Sequence, residues 1–115
     1  MSISSRYLLI ASMDVAPEAE DLFNEIYDNE HIKYLLEVPG VRSVTRVKGV
    51  PASFGLAGRL VDLPVPSPIH TAIYEIDDPS VLSSPEWAVA CEKGRWAADV
   101  RPHTSNRSHA VFKVR

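Results

Sequence analysis

Phe23-Asn24-Glu25-Ile26-Tyr27-Asp28-Asn29-Glu30-His31-Ile32-Lys33-Tyr34-Leu35-Leu36-Glu37-Val38-Pro39-Gly40 is the stretch on which the fold turns. Apolar residues at Ala19, Leu22, Phe23, Ile26 and Tyr27 repeat with the 3.6-residue period of an amphipathic helix. The helix is expected to open at Ala16-Pro17, with Glu18, Glu20 and Asp21 near the positive end of its dipole. It should continue to about Leu36, where Pro39-Gly40 stops it.

Outward from this helix the chain alternates in type. Residues 6–14 (RYLLIASMD) read as an aliphatic strand, and 41–49 (VRSVTRVKG) as an edge strand. In the latter, one register holds Val41, Ser43, Thr45 and Val47, and the other Arg42, Val44, Arg46 and Lys48, charges that keep an edge from sticking. Residues 69–77 (IHTAIYEID) form a third strand. Ser83-Ser84-Pro85-Glu86 signals a capped helix start, with Glu placed for a capping box, and that helix is expected from Pro85 to about Arg101. Residues 107–115 (RSHAVFKVR) supply the last strand.

The order β-α-β-β-α-β is answered by an α+β, ferredoxin-like arrangement: a four-stranded antiparallel sheet with two helices on one face. Residues 1–115 form a single domain, since a chain of this length can bury about two-thirds of its surface around one core. The first strand is apolar on both faces, so something must cover the side away from the helices, and a homodimer joined through its sheet faces is the economical solution. The segment 50–68, with Pro51, Pro64, Pro66 and Pro68 and the apolar Phe54, Leu56, Leu60, Val61, Leu63 and Val65, is too long for a simple hairpin turn. It reads as a lid or as a dimer arm.

Composition narrows the function classes. A net charge of −3 provides no field to gather nucleic acid or an anionic membrane, and no run reaches the length of a membrane span. The only cysteine, Cys91, allows neither an internal disulfide nor a thiolate cluster and is read as an inert packed thiol. With no secretory signal in view, a cytoplasmic protein is expected. His70, His103 and His109 lie on different elements without metal-ligand spacing, and Gly55-Leu56-Ala57-Gly58 lacks the ending of a phosphate loop. No metal or cofactor is expected.

The chemistry is expected on the first helix. At 100° per residue, His31 lies about 40° and Tyr34 about −20° from Tyr27, on the stripe marked by Phe23 and Ile26. An imidazole and two phenols facing the sheet could exchange protons with a ligand. The alternative is a core histidine hydrogen-bonded within the protein. Arg46 could hold a carbonyl or carboxylate, or be a solvated edge charge. Trp87 and Trp96, nine residues apart on one helix, should face opposite ways, with Trp87 in the core or pocket wall and Trp96 toward a partner or solvent.

The run Phe23-x-x-x-Tyr27-x-x-x-His31-x-x-x-Leu35-Leu36-x-Val38-Pro39-Gly40-Val41, then Arg46, Ser84-Pro85-x-Trp87 and a final C-terminal strand, resembles the dimeric α+β barrel superfamily. The likeness is to its EthD-like, muconolactone-isomerase-like and antibiotic-biosynthesis-monooxygenase-like branches. His31 matches the helix histidine of the EthD-like pattern, and Lys33 stands where that pattern usually carries proline. The resemblance implies two sheets facing each other across a dimer, with a pocket between each sheet and its own helices. It implies a small cofactor-independent enzyme (isomerase, dehydratase or oxygenase class) acting on a small apolar carbonyl or aromatic compound. His31 and Tyr27 would be catalytic, and Phe23, Tyr34, Arg46 and Trp87 would contact substrate. The alternative in the same fold is a binding or stress-responsive dimer without turnover.

Overall fold

The computed structural model describes residues 3–115. Strand β1 (Tyr7–Val15) leads into a helix that begins as a short 3-10 turn at Pro17–Ala19. This continues as α1 (Glu20–Ile26), widens into a π-helical turn at Tyr27–His31 and ends as α2 (Ile32–Leu36). Strand β2 (Val41–Lys48), a hairpin of β3 (Ala52–Leu56) and β4 (Arg59–Leu63), strand β5 (His70–Ile76), helix α3 (Pro85–Cys91) and strand β6 (Thr104–Lys113) complete the order. The main sheet is antiparallel and four-stranded, in the order β2-β5-β1-β6, with the helices on one face. That is the ferredoxin-like α+β fold expected. Among the described residues no helix is long and apolar enough to cross a membrane.

Alternation on β1 decides which side chains meet the helices. Leu9, Ala11 and Met13 are buried against them together with Ala72, Tyr74 and Ile76 of β5. The opposite parity presents Leu8, Ile10 and Ser12 beside Glu75, Ile73 and Thr71 on a face with no helix over it. Glu75 is held there by the Ser4 and Ser5 amides at 2.8 and 3.0 Å and by the Ser43 hydroxyl at 2.6 Å, and these bonds keep its carboxyl below the usual range.

Three expectations are revised. The segment 50–68, read as too long for a simple hairpin turn, is built around one. Ala57 and Gly58, at φ 53° and 78°, make a two-residue turn of the kind that matches strand twist, and β3 pairs with β4 around it. This hairpin stands away from the body. The accessible surface is 7187 Å² where a compact chain of this mass would show about 6,200 Å². The Cα radius of gyration is 15.7 Å where about 13 Å would be usual.

The second helix does not run from Pro85 to Arg101. Its cap is Ser84, whose Oγ accepts the Trp87 amide at 3.1 Å and leaves Glu86 at the second helical position instead of the capping-box position. It ends at Cys91, and the chain turns at Gly94, φ +70°. A Cβ there would sit 2.7 Å from Glu30 Oε1 and 2.8 Å from Tyr34 Cε2, so only glycine allows this approach to the first helix. The break resets the angular phase. Trp96, on a π-helical turn at Trp96–Val100, therefore points inward and is 4% exposed, while Trp87 is half-buried against the same core. The two tryptophans do not face opposite ways.

The first helix also changes phase. A π turn takes up one residue more than an α turn, which rotates everything beyond it by about 100°. Leu35, 1% exposed, therefore takes the inward place expected for Tyr34.

Candidate functional site

A cavity of about 230 Å³ lies between the sheet and the helices. Its floor is the helix-facing row of β1 (Leu9, Ala11 and Met13) with Tyr74 from β5. Its helical wall is built by Tyr27, His31 and Leu35 from the first helix and by Trp87, Cys91 and Trp96 from the second. Arg101, Arg107 and His109 close the side toward β6.

His31 sits among aromatic rings. Its imidazole stacks on Trp96 with centroids 4.3 Å apart and planes 15° from parallel, and meets Tyr27 edge-on at 5.0 Å. The residue is 6% exposed, and its Nδ1 is closed off from solvent with no hydrogen-bond partner. Any polar exchange with a cavity ligand therefore runs through Nε2. Burial, helped by the nearby Arg101 guanidinium and opposed by Glu92, pushes its pKa down to about 4. At neutral pH the ring is uncharged.

The phenols of Tyr27 and Tyr74 hydrogen-bond to each other at 2.5 Å across the helix–sheet interface. Burial raises the Tyr27 pKa to about 12, against the opposing effect of its bond to Tyr74, and raises Tyr74 well above its ordinary value. Burial, with Glu92, likewise raises the Cys91 thiol. The cavity therefore holds an imidazole, two phenols and a thiol, all neutral; one phenol donates to the other, which leaves the pair a single hydroxyl hydrogen to give a ligand.

Of the residues named from sequence, His31, Tyr27 and Trp87 come together on the cavity. Phe23 is 1% exposed and packs behind it, between Tyr27, His70 and Trp96. Tyr34 lies outside, in a surface groove between α2 and α3, with the Lys93 ammonium 5.7 Å from its ring centre. Arg46 also lies outside the cavity lining. Its guanidinium lies 4.9 Å over the Phe23 ring and 4.8 Å over that of Tyr27, and it donates to Asp28 and Asn24 at 2.8 Å each. It is neither a solvated edge charge nor free to bind.

Sequence reasoning passed over Tyr74, Trp96, Arg101, Arg107 and His109 as lining residues. Tyr74 was open to discovery, because alternation along 69–77 puts it on the helix-facing parity of a central strand. Nothing in the sequence marked Arg107. β1 and β6 pair at Ser12↔Ser108 and at Asp14↔Ser105, so two residues of β6, Asn106 and Arg107, stand opposite Met13. Asn106 at φ 53° carries the bulge, and its side chain donates to Asp14 Oδ2 at 2.9 Å and Ser67 Oγ at 3.0 Å.

No protein-family model matches the chain, and no curated protein matches it. Among solved structures, an ethyl tert-butyl ether D (EthD) family protein from Bacillus halodurans C-125 superposes with a TM-score of 0.61 at 17% sequence identity. The match covers 96% of this chain and 99% of that one. The chain thus has the α+β fold of an EthD family protein over nearly its whole length.

Proposed function

We propose that the protein is a small cofactor-independent enzyme that moves a proton on a carbonyl-bearing aromatic compound held in this cavity. The observation that carries the reading is the neutral, ring-stacked imidazole of His31 bordering the cavity beside the Tyr27–Tyr74 hydroxyl pair. In the proposed step a C–H bond next to the carbonyl breaks and its proton goes to His31 Nε2. The electron pair moves to the carbonyl oxygen as an enolate, which the phenol pair is suited to receive by hydrogen bonding. The proton then returns from His31 to carbon. Trp87 serves as wall.

An imidazole with a pKa of about 4 is a weak base, so the substrate must carry an activated C–H, flanked by a carbonyl and an aryl ring or by two carbonyls. That same weakness favours the second reading, a binding protein of the same fold without turnover.

The quaternary structure belongs to this proposal. Two copies would join through the open sheet face, with Ile10 and Ile73 at its centre. A cytoplasmic location completes it, in keeping with the single cysteine.

The test is solvent-deuterium incorporation into 2-tetralone, whose C1 is flanked by aryl and carbonyl, followed by proton NMR. Exchange above buffer by the wild type, abolished in His31→Gln, is the expected result. Binding of 2-tetralone without any added exchange would establish the second reading instead.

A further inference from the structure

We infer that the β6 side of the cavity is an anion subsite, and that the ligand is a flat aromatic compound bearing a carboxylate or an equivalent acidic oxygen. The inference rests on the proposed reading of the cavity as a ligand site and specifies its ligand class.

Charge is distributed unlike the rest of the chain. The protein carries 15 acidic and 12 basic residues, yet no aspartate or glutamate is among the residues lining the cavity, while Arg101, Arg107 and His109 are. Arg101 is already committed: its guanidinium donates to both carboxylate oxygens of Glu92, at 2.9 and 2.5 Å, and to the Cys91 carbonyl at 3.1 Å. Arg107 is not. Only its Nη2 is engaged, with the Arg101 carbonyl at 3.0 Å and with the Thr104 hydroxyl. Nε and Nη1 have no partner among the described residues, and no carboxylate pairs with the group.

Arg107 and His109 are exposed at the cavity rim, and two features hold Arg107 there. The bulge at Asn106 inserts the extra residue opposite Met13, and Met13 is itself on the cavity floor. The two Nη2 bonds then fix one prong of the guanidinium and leave Nε and Nη1 for single charge-assisted bonds to an anionic oxygen. His109 stands across from Ala11 in the same wall. Opposite lie the stacked His31–Trp96 pair and Trp87, surfaces suited to a ring face. A ligand with a flat apolar body and one anionic end would meet complementary groups at both ends.

The test compares 2-naphthoate with its neutral isostere 2-naphthamide by titration calorimetry on the intact protein. A charge-assisted bond to Arg107 should favour the acid by roughly tenfold or more, with the preference shrinking as salt rises. Arg107→Gln should erase the preference, and naphthamide binding retained by the variant reports that the cavity is folded. Arg107→Lys should retain part of it. Equal affinity for acid and amide in the wild type, or a preference that survives Arg107→Gln, would overturn the inference and leave the cavity reading intact. Binding of neither compound would overturn both.

Discussion

Replacing His31 by phenylalanine separates a ring kept for chemistry from one kept for the core. In the wild type the imidazole is 6% exposed and its Nδ1 is buried without a partner. An unsatisfied buried polar atom costs about 1–3 kcal/mol. A phenyl ring preserves the stack on Trp96 and removes that atom, and its extra volume can project into the adjoining space of about 230 Å³. His31→Phe should therefore be at least as stable as the wild type near neutral pH, with a gain of about 1 kcal/mol, or ~4 °C in Tm for a chain this size. The pH dependence adds a second signature. The folded-state pKa of His31, about 4, lies below the ordinary 6.5, so between these values the unfolded chain binds a proton that the folded chain does not. Stability from this residue is thus complete above pH 6.5 and falls as the pH drops toward 4. At about pH 5 the wild type should have lost ~2 kcal/mol that the variant keeps, widening the gap between them by that amount. Urea unfolding followed by tryptophan fluorescence between about pH 7.5 and 5 measures both effects. A variant less stable by more than ~1 kcal/mol at pH 7.5, with a pH profile parallel to that of the wild type, would refute the reasoning and make His31 a structural residue.

Gly94→Ala places a methyl group against Tyr34 and Glu30 at positive φ, and should cost about 1–2 kcal/mol in denaturant unfolding. Ile73→Arg, at the centre of the helix-free sheet face, should convert a light-scattering mass of twice the chain to that of one chain while leaving the far-UV spectrum unchanged. The hairpin at 50–68, with Phe54, Leu56 and Leu63 exposed, should resist limited proteolysis in the wild-type assembly and be cut quickly in Ile73→Arg. Rapid cutting in both would make the segment a tether, neither lid nor arm.

How far the sequence could be read depended on whether the governing interactions were local. The β-α-β-β-α-β order and the helix-facing row of β1 follow from periodicity and caps within single segments, and they were legible. So was the meeting of Tyr27, His31 and Trp87, each on the inward stripe read for its helix. Tyr34 was misplaced because a π turn cannot be seen in apolar spacing, and one extra residue moves everything after it by about 100°. Trp96 was misplaced because the second helix was read as continuous from Pro85 to about Arg101, when the close approach of Gly94 to Tyr34 and Glu30 makes a breaking point there. Arg46 could be assigned no partner from sequence, since Asp28 and Asn24 reach it from another element. Arg107 depends on a register shift between β1 and β6, a relation that arises only once the two strands pair.

The central claim is that His31 is a neutral ring bordering a ligand cavity, and nitrogen-15 NMR of its imidazole addresses it most directly. The account predicts one neutral tautomer that persists on acidification until the pH nears 4, with an Nε2 resonance that shifts when 2-tetralone is added. Titration near the ordinary 6.5, with no response to 2-tetralone, would contradict it.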